Sequence, residues 1–437
     1  MVTAKEQDGK TVYVVTKPDT AWYDEAADNF TLAGEGEVLG LAQLVNEGND
    51  FAGKTITLTS DLDFSEFAWT PIGNGTRNDS SVSGNAFKGT FDGAGHTITG
   101  LTCTGTAAAD GTYGLFGVVD GGTVKNVKLA EVSINVEGGE NVGAIVGLLT
   151  NGGTVSGVEV LSGSVAGGDG VGGLVGRLTL SGTIENCKNE ATVSGTGKVG
   201  GIVSSAYYTK ADMVMTIKDC TNIGTVTSTV GYVGGVVGMS AANISGCTNN
   251  GAVTGNATSI GGIVGEQKCY GSVVGCTNTA LITNQSESFG TGGIIGWLRY
   301  SDETAYEVKA PITVSKCRNT GNVVGGYDAG GIVGVAYNNA SVTDCLNLAT
   351  SLSAKTVRGF LGGIIANVQT TQSPTGIENE LTVTGNCSTT TLEQMTGGNC
   401  KDVYAYVNDS SLKAGVSDNY NAVAAWKEAN HGAWYNA

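Results

Sequence analysis

Gly234-Gly235-Val236-Val237-Gly238, then Ile244-Ser245-Gly246-Cys247-Thr248-Asn249, then Gly261-Gly262-Ile263-Val264-Gly265: residues 234 to 265 hold one period of a repeat. The glycine motif occurs nine times between Tyr113 and Ala366, ending at Gly117, Gly147, Gly176, Ser204, Gly238, Gly265, Gly296, Gly334 and Ala366. The step ranges from 27 residues, between Gly238 and Gly265, to 38, between Gly296 and Gly334. Between successive glycine motifs stands a second one, aliphatic-x-x-Cys-x-Asn. It places Cys187, Cys220, Cys247, Cys276, Cys317 and Cys345 two residues before Asn189, Asn222, Asn249, Asn278, Asn319 and Asn347. Two earlier periods put Val127 and Val158 in the Cys slot, so the slot wants a small apolar group, which is how a free Cys behaves in a core.

Runs such as Ala191-Thr192-Val193-Ser194 alternate small polar and β-branched residues, the period of a half-buried strand. Glycine supplies 70 of 437 residues. Interior glycines each cost a helix about 1 kcal/mol relative to alanine, so the repeat is built from strands and turns. A unit of roughly 30 residues cannot bury its own apolar face and must stack on its neighbours. Propeller blades need about 40 residues, and the leucine-rich and calcium-roll frames are absent. The fold class that remains is all-β: a right-handed parallel β-helix with about 30 residues per coil, equivalent residues about 4.8 Å apart, and short capping elements at both ends. Asn in such a stack can pass amide hydrogen bonds from coil to coil. The double glycine is expected to supply positive φ at a turn and close approach between coils.

The Gly114-Leu115-Phe116-Gly117 and Gly-Gly-Ile-Val-Gly copies, with the Cys-x-Asn element between them, resemble the GLUG repeat of large bacterial surface proteins. Upstream, Thr57 to Ser65, Trp69-Thr70-Pro71-Ile72-Gly73 and Phe87 to Ile98 resemble the segment that commonly precedes those repeats. The resemblance covers about Gly34 to Ala366. It implies a surface-exposed β-helix of the adhesin type, sometimes found beside IgA-cleaving peptidases, whose repeats carry no known chemistry.

The formal charge is −17, from 40 acidic and 23 basic residues, which argues against nucleic acid or anionic membrane as partner. No apolar run is long enough to span a membrane, and the start Met1-Val2-Thr3-Ala4-Lys5-Glu6 lacks the apolar centre of a secretion signal. With the resemblance, this leads to the expectation of a piece of a longer exported protein, extracellular and attached to the cell surface. Four segments are expected. Residues 1–53 form a lead-in and a capping helix around Val38 to Asn46. Residues 54–112 form irregular first coils with a polar loop at Asn74 to Asn85. Residues 113–366 form the regular coils, and residues 367–437 the last coil and a C-terminal cap carrying Trp426 and Trp434. The stacked cysteines are expected to be free thiols, with Cys387 and Cys400 the pair best suited to a disulfide if one forms.

Chemistry has little material. With only His96 and His431, a histidine metal site or a nucleophile–histidine relay is not expected, and no metal or cofactor is assigned. The expected function is non-enzymatic: a monomeric adhesin-like module or stalk that presents loops to a host glycoprotein, immunoglobulin or glycan. The loop following Gly296, with Trp297, Arg299, Tyr300 and Tyr306, has the residue types that dominate binding. The alternative is a polysaccharide-degrading β-helix enzyme using Asp61, Asp63 and Asp92, which lie near the aromatics Phe64 and Trp69 in sequence.

Overall fold

The computed structural model describes the chain except residues 1, 8–9, 79–80, 109–110, 208–212, 269–270, 300–310, 338, 370–379, 402–403, 408–412 and 430–437. The chain winds as a parallel β-solenoid in which each regular coil lays down five short strands. One coil reads Met215–Lys218, Thr221–Asn222, Val226–Ser228, Tyr232–Gly234 and Val237–Ser240. Stacking of equivalent strands produces five parallel sheets of thirteen, eleven, ten, ten and ten strands, termed first to fifth in the order the chain visits them. The register is strict: Asn222 pairs with Asn249 and Asn249 with Asn278, although the intervening coils differ in length.

The stack reaches beyond residues 113–366 on both sides. Strand Asn29–Leu32 opens the first sheet against Thr55–Leu58, and Lys413–Ser417 closes it. Strand Lys10–Val15 pairs with Val2–Gln7 as an antiparallel hairpin instead of joining a coil. Helix Glu35–Asn46 buries Val38, Leu41, Ala42 and Val45 against the first coil, covering a sheet edge that would otherwise template aggregation. A cluster of Trp22, Tyr23, Phe30, Phe51 and Phe87, with ring centroids 5.3 to 6.3 Å apart, completes this end. At the other end the short helix Val423–Glu428 seats a fully buried Trp426, whose Nε1 donates to the Gly385 carbonyl at 2.5 Å.

The polar stretch Asn74 to Asn85 does not leave the rod as an open loop. Its strands Thr76–Asn78 and Ser81–Ser83 pair as a hairpin, and Val82 packs with Ala86 on Val118 and Leu148, on the outer face of the fifth sheet.

The repeat residues hold the coil's shape. The left-handed turn falls on the residue before each Cys slot: Asn126, Gly157, Asn186, Asp219, Gly246, Gly275, Lys316 and Asp344 have φ between 52° and 65°. These are mostly the residue types that tolerate that region. The double glycines keep ordinary φ, and close approach alone explains them. A Cβ on Gly235 would stand 2.1 Å from the Gly262 carbonyl oxygen and 2.3 Å from Cγ of Asn249. That Asn belongs to a continuous amide row: Asn189 donates to Asn222, Asn222 to Asn249, Asn249 to Asn278 and Asn278 to Asn319 at 2.9 Å, and Asn319 to Asn347 at 3.1 Å. The six Cys of the repeat are buried free thiols that donate to backbone carbonyls, as Cys220 does to Lys218 at 3.2 Å. Cys387 and Cys400 are free thiols as well, each bound into a different sheet. Burial pushes the Cys387 thiol up to about 11.

Candidate binding groove

Within each coil the chain turns sharply between the fourth and fifth strands, because the double glycine lets the backbone fold back on itself. The outer faces of these two sheets therefore meet along a shared groove that side chains largely fill, as where Asn367 Nδ2 donates to Asp328 Oδ2 at 3.0 Å. One wall follows the fifth-sheet column Val118, Leu148, Arg177, Ser205, Met239, Glu266, Trp297, Val335 and Asn367. The other wall includes the fourth-sheet pairs Tyr232 and Ser259, then Asp328 and Phe360. The hairpin of residues 76–83 occupies the first end of the groove, over Val118 and Leu148.

Chemistry gathers farther along, around Glu266. Its side chain is 0% exposed and neither carboxylate oxygen has a hydrogen-bond partner. Lys268 Nζ lies 3.7 Å from Oε2 and Arg299 Nη1 3.7 Å from Oε1. Burial pushes the Glu266 carboxyl above the usual range, against the pull of Lys268 and Arg299. Trp297 stands next to Glu266 in the column, with Tyr232 at 6.3 Å and Tyr337 at 6.5 Å between ring centroids. The indole lies over Gly290, where any Cβ would come within 2.0 Å of it. Arg299 holds its guanidinium 5.9 Å from both the Trp297 and Tyr337 rings, and Lys268 sits 5.4 Å from the Tyr207 ring. Burial, then the charge of Glu266, pushes the Tyr232 phenol up.

A second buried carboxylate lies along the same groove. Asp328 is 0% exposed; its Oδ2 accepts from Asn367 Nδ2 across the groove at 3.0 Å, while Oδ1 is unpartnered. Burial, opposed by the Asn367 bond, raises its pKa to about 7. Phe289, Tyr327 and Phe360 line up beside it at 4.6 and 5.8 Å, with Phe289 43% exposed.

Of the residues singled out from sequence, Trp297 and Arg299 belong to the fifth-sheet strand Ile295–Arg299 and not to a loop, while Tyr300 and Tyr306 lie outside the described residues. Sequence reading missed Tyr207, Tyr232, Glu266, Lys268 and Tyr337, which come from four other coils. The usable signal was their place in the repeat: Glu266, Trp297 and Val335 all directly follow the last glycine of the motif. The carboxylates Asp61, Asp63 and Asp92 are each engaged locally. Asp61 accepts from the Thr97 amide at 2.8 Å and faces His96 Nδ1 at 3.2 Å. Asp63 accepts from Ser65, and Asp92 from Ala94 and Asn126. Asp63 and Asp92 lie in different sheets, while Phe64 and Trp69 point into the core. No group of three metal-ligating side chains occurs among the described residues. Among them, too, no helix is long and apolar enough to cross a membrane.

A parallel β-solenoid with stacked rows of glycine and buried asparagine defines the class of protein. The relatives agree with the repeat: residues 167–194, which span Gly172 to Gly176, Cys187 and Asn189, match the family model described as the GLUG motif. Halomucin from Haloquadratum walsbyi is 29% identical over 173 residues, 37% of this chain and 2% of Halomucin. Among solved structures, the chain is similar to a candidate immunoglobulin A1 protease from Bacteroides ovatus, with TM-score 0.43, 19% identity and coverage of 78% of this chain and 84% of that one. It is also similar to an IgA1 protease chain, with TM-score 0.45, 19% identity and coverage of 72% of this chain and 24% of that one.

Proposed function

We propose that the chain is a non-catalytic binding rod, part of an exported surface protein, that holds a glycan of a host glycoprotein or immunoglobulin along its outer groove. The observation that carries this reading is the grouping of Trp297 and Tyr337 of the fifth sheet and Tyr232 of the fourth around Glu266, Lys268 and Arg299. Half-buried aromatic rings offer flat apolar faces to sugar rings, and polar groups beside them read the hydroxyls. The surface setting is supported by the GLUG match, since a rod of stacked coils suits display away from a cell.

The test is binding of the full chain to arrays of glycans and mucosal glycoproteins, IgA included, beside a Trp297→Ala/Tyr337→Ala variant with unchanged circular dichroism. A specific signal that falls at least about tenfold in the variant is expected, as for loss of aromatic contacts. Silence across the arrays from the folded chain would reduce this segment to a spacer.

A further inference from the structure

We infer that the groove around Trp297 takes a sugar ring bearing a carboxylate; this rests on the glycan-binding reading above. Three observations carry it. First, the chain as a whole is strongly acidic, at −17, yet here two cations stand side by side in adjacent coils, Lys268 paired in register with Arg299. Second, a single carboxylate serves both. Glu266 is 3.7 Å from each, beyond hydrogen-bond length, and its ion pairs with Lys268 and Arg299 leave one positive charge uncompensated among the described residues of the cluster. The fully buried Glu266 thus anchors the two cations from below, and Arg299, whose side chain is 39% exposed, is engaged among the described residues by that ion pair and by the two rings. Third, each cation already stands over an aromatic ring: Arg299 over Trp297 and Tyr337, Lys268 over Tyr207. A pyranose stacked on Trp297 or Tyr337 would bring a ring carboxylate within reach of a planar guanidinium. That group matches a carboxylate through two parallel N–H donors, whereas a point cation does not.

The geometry assigns distinct parts. Trp297 and Tyr337 are the ring platform, Arg299 is the carboxylate fork, and Lys268 supplies a second positive charge. Glu266 positions both cations without touching the ligand.

The experiment measures binding of the full chain by calorimetry to 3′-sialyllactose, whose terminal ring bears a carboxylate, to 3′-sulfated lactose and to lactose. Expected is an affinity for 3′-sialyllactose about tenfold or more above that for lactose, in line with a charge-assisted pair, and declining as salt is raised. Arg299→Lys should lose most of that preference because it keeps the charge but not the fork. Equal affinity for 3′-sialyllactose and lactose would overturn the carboxylate inference and leave the glycan-binding groove standing. Equal affinity for the sulfated and carboxylated sugars would also overturn it, since charge alone would then suffice. No binding of any of the three, and none on the wider arrays, would overturn both readings. Wild-type melting in each variant keeps loss of fold from passing as loss of binding.

Discussion

Asn249 is held by more hydrogen bonds than a surface Asn could keep. Its Nδ2 donates to the Gly251 carbonyl at 3.0 Å and to Asn278 at 2.9 Å, and its Oδ1 accepts from Asn222. All of this is buried. Removing the amide leaves donors and acceptors of three coils unsatisfied, at about 1–3 kcal/mol for each buried group so exposed. Asn249→Ala is therefore expected to lower stability by roughly 2–4 kcal/mol, read as a lower urea midpoint; an unchanged midpoint would mean that the row is decorative. The row was legible in sequence because one residue type recurs in one slot. The left-handed turn beside it was not, since Asn, Asp, Gly and even Lys316 share a conformation but no side chain. What unites them is φ, which no alphabet of residues prints. The expectation that the double glycines supply this turn misplaced it by half a coil.

The groove is an element built from two sheets, and its buried carboxylates make it sensitive to pH. Asp328, normally near 3.8, is raised to about 7 by burial. A raised carboxyl favours the fold fully below the unfolded pKa, and that contribution is lost as pH climbs through about 7. Asp328→Asn keeps the shape and the neutral state at every pH. The variant should match the parent near pH 4 and exceed it by up to about 4 kcal/mol at pH 8. Urea midpoints at several pH values check this; parallel curves for the two proteins would show that Asp328 stays ionised in the fold. Little of the groove could be read in advance. Its residues lie one per coil, and coil lengths vary from 27 to 38 residues, so Tyr232, Glu266, Trp297 and Tyr337 share no fixed spacing. Trp297 and Arg299 were visible as binding residue types, but the long step after Gly296 suggested a loop where the fifth-sheet strand continues through Arg299.

A rod whose coils pair strand for strand with their immediate neighbours should tolerate the loss of one. Val146 pairs in register with Val175. Deleting residues 146–174 therefore joins Ile145 to Val175 inside one glycine motif, and leaves the Cys row, the Asn row and the groove around Trp297 intact. The shortened chain is expected to fold with the same strand content per residue, to melt within a few degrees of the parent, and to bind as the parent does, because stability in such arrays is nearly a sum of local terms. Aggregation or a molten chain would mean that the capping ends sense the whole length.

The sequence by itself determined the coil. A repeat of glycine, cysteine and asparagine admits one packing, since glycine alone allows the close approach and asparagine alone bridges identical neighbours at the strand spacing. The GLUG resemblance rests on those same residues. Only the tertiary structure decided which outward residues meet, because neighbours along the rod are set by the pairing register and not by distance along the chain. The same register buried Glu266, Asp328 and the core-facing Phe64 and Trp69, and left Asp61, Asp63 and Asp92 each bonded to its own neighbours.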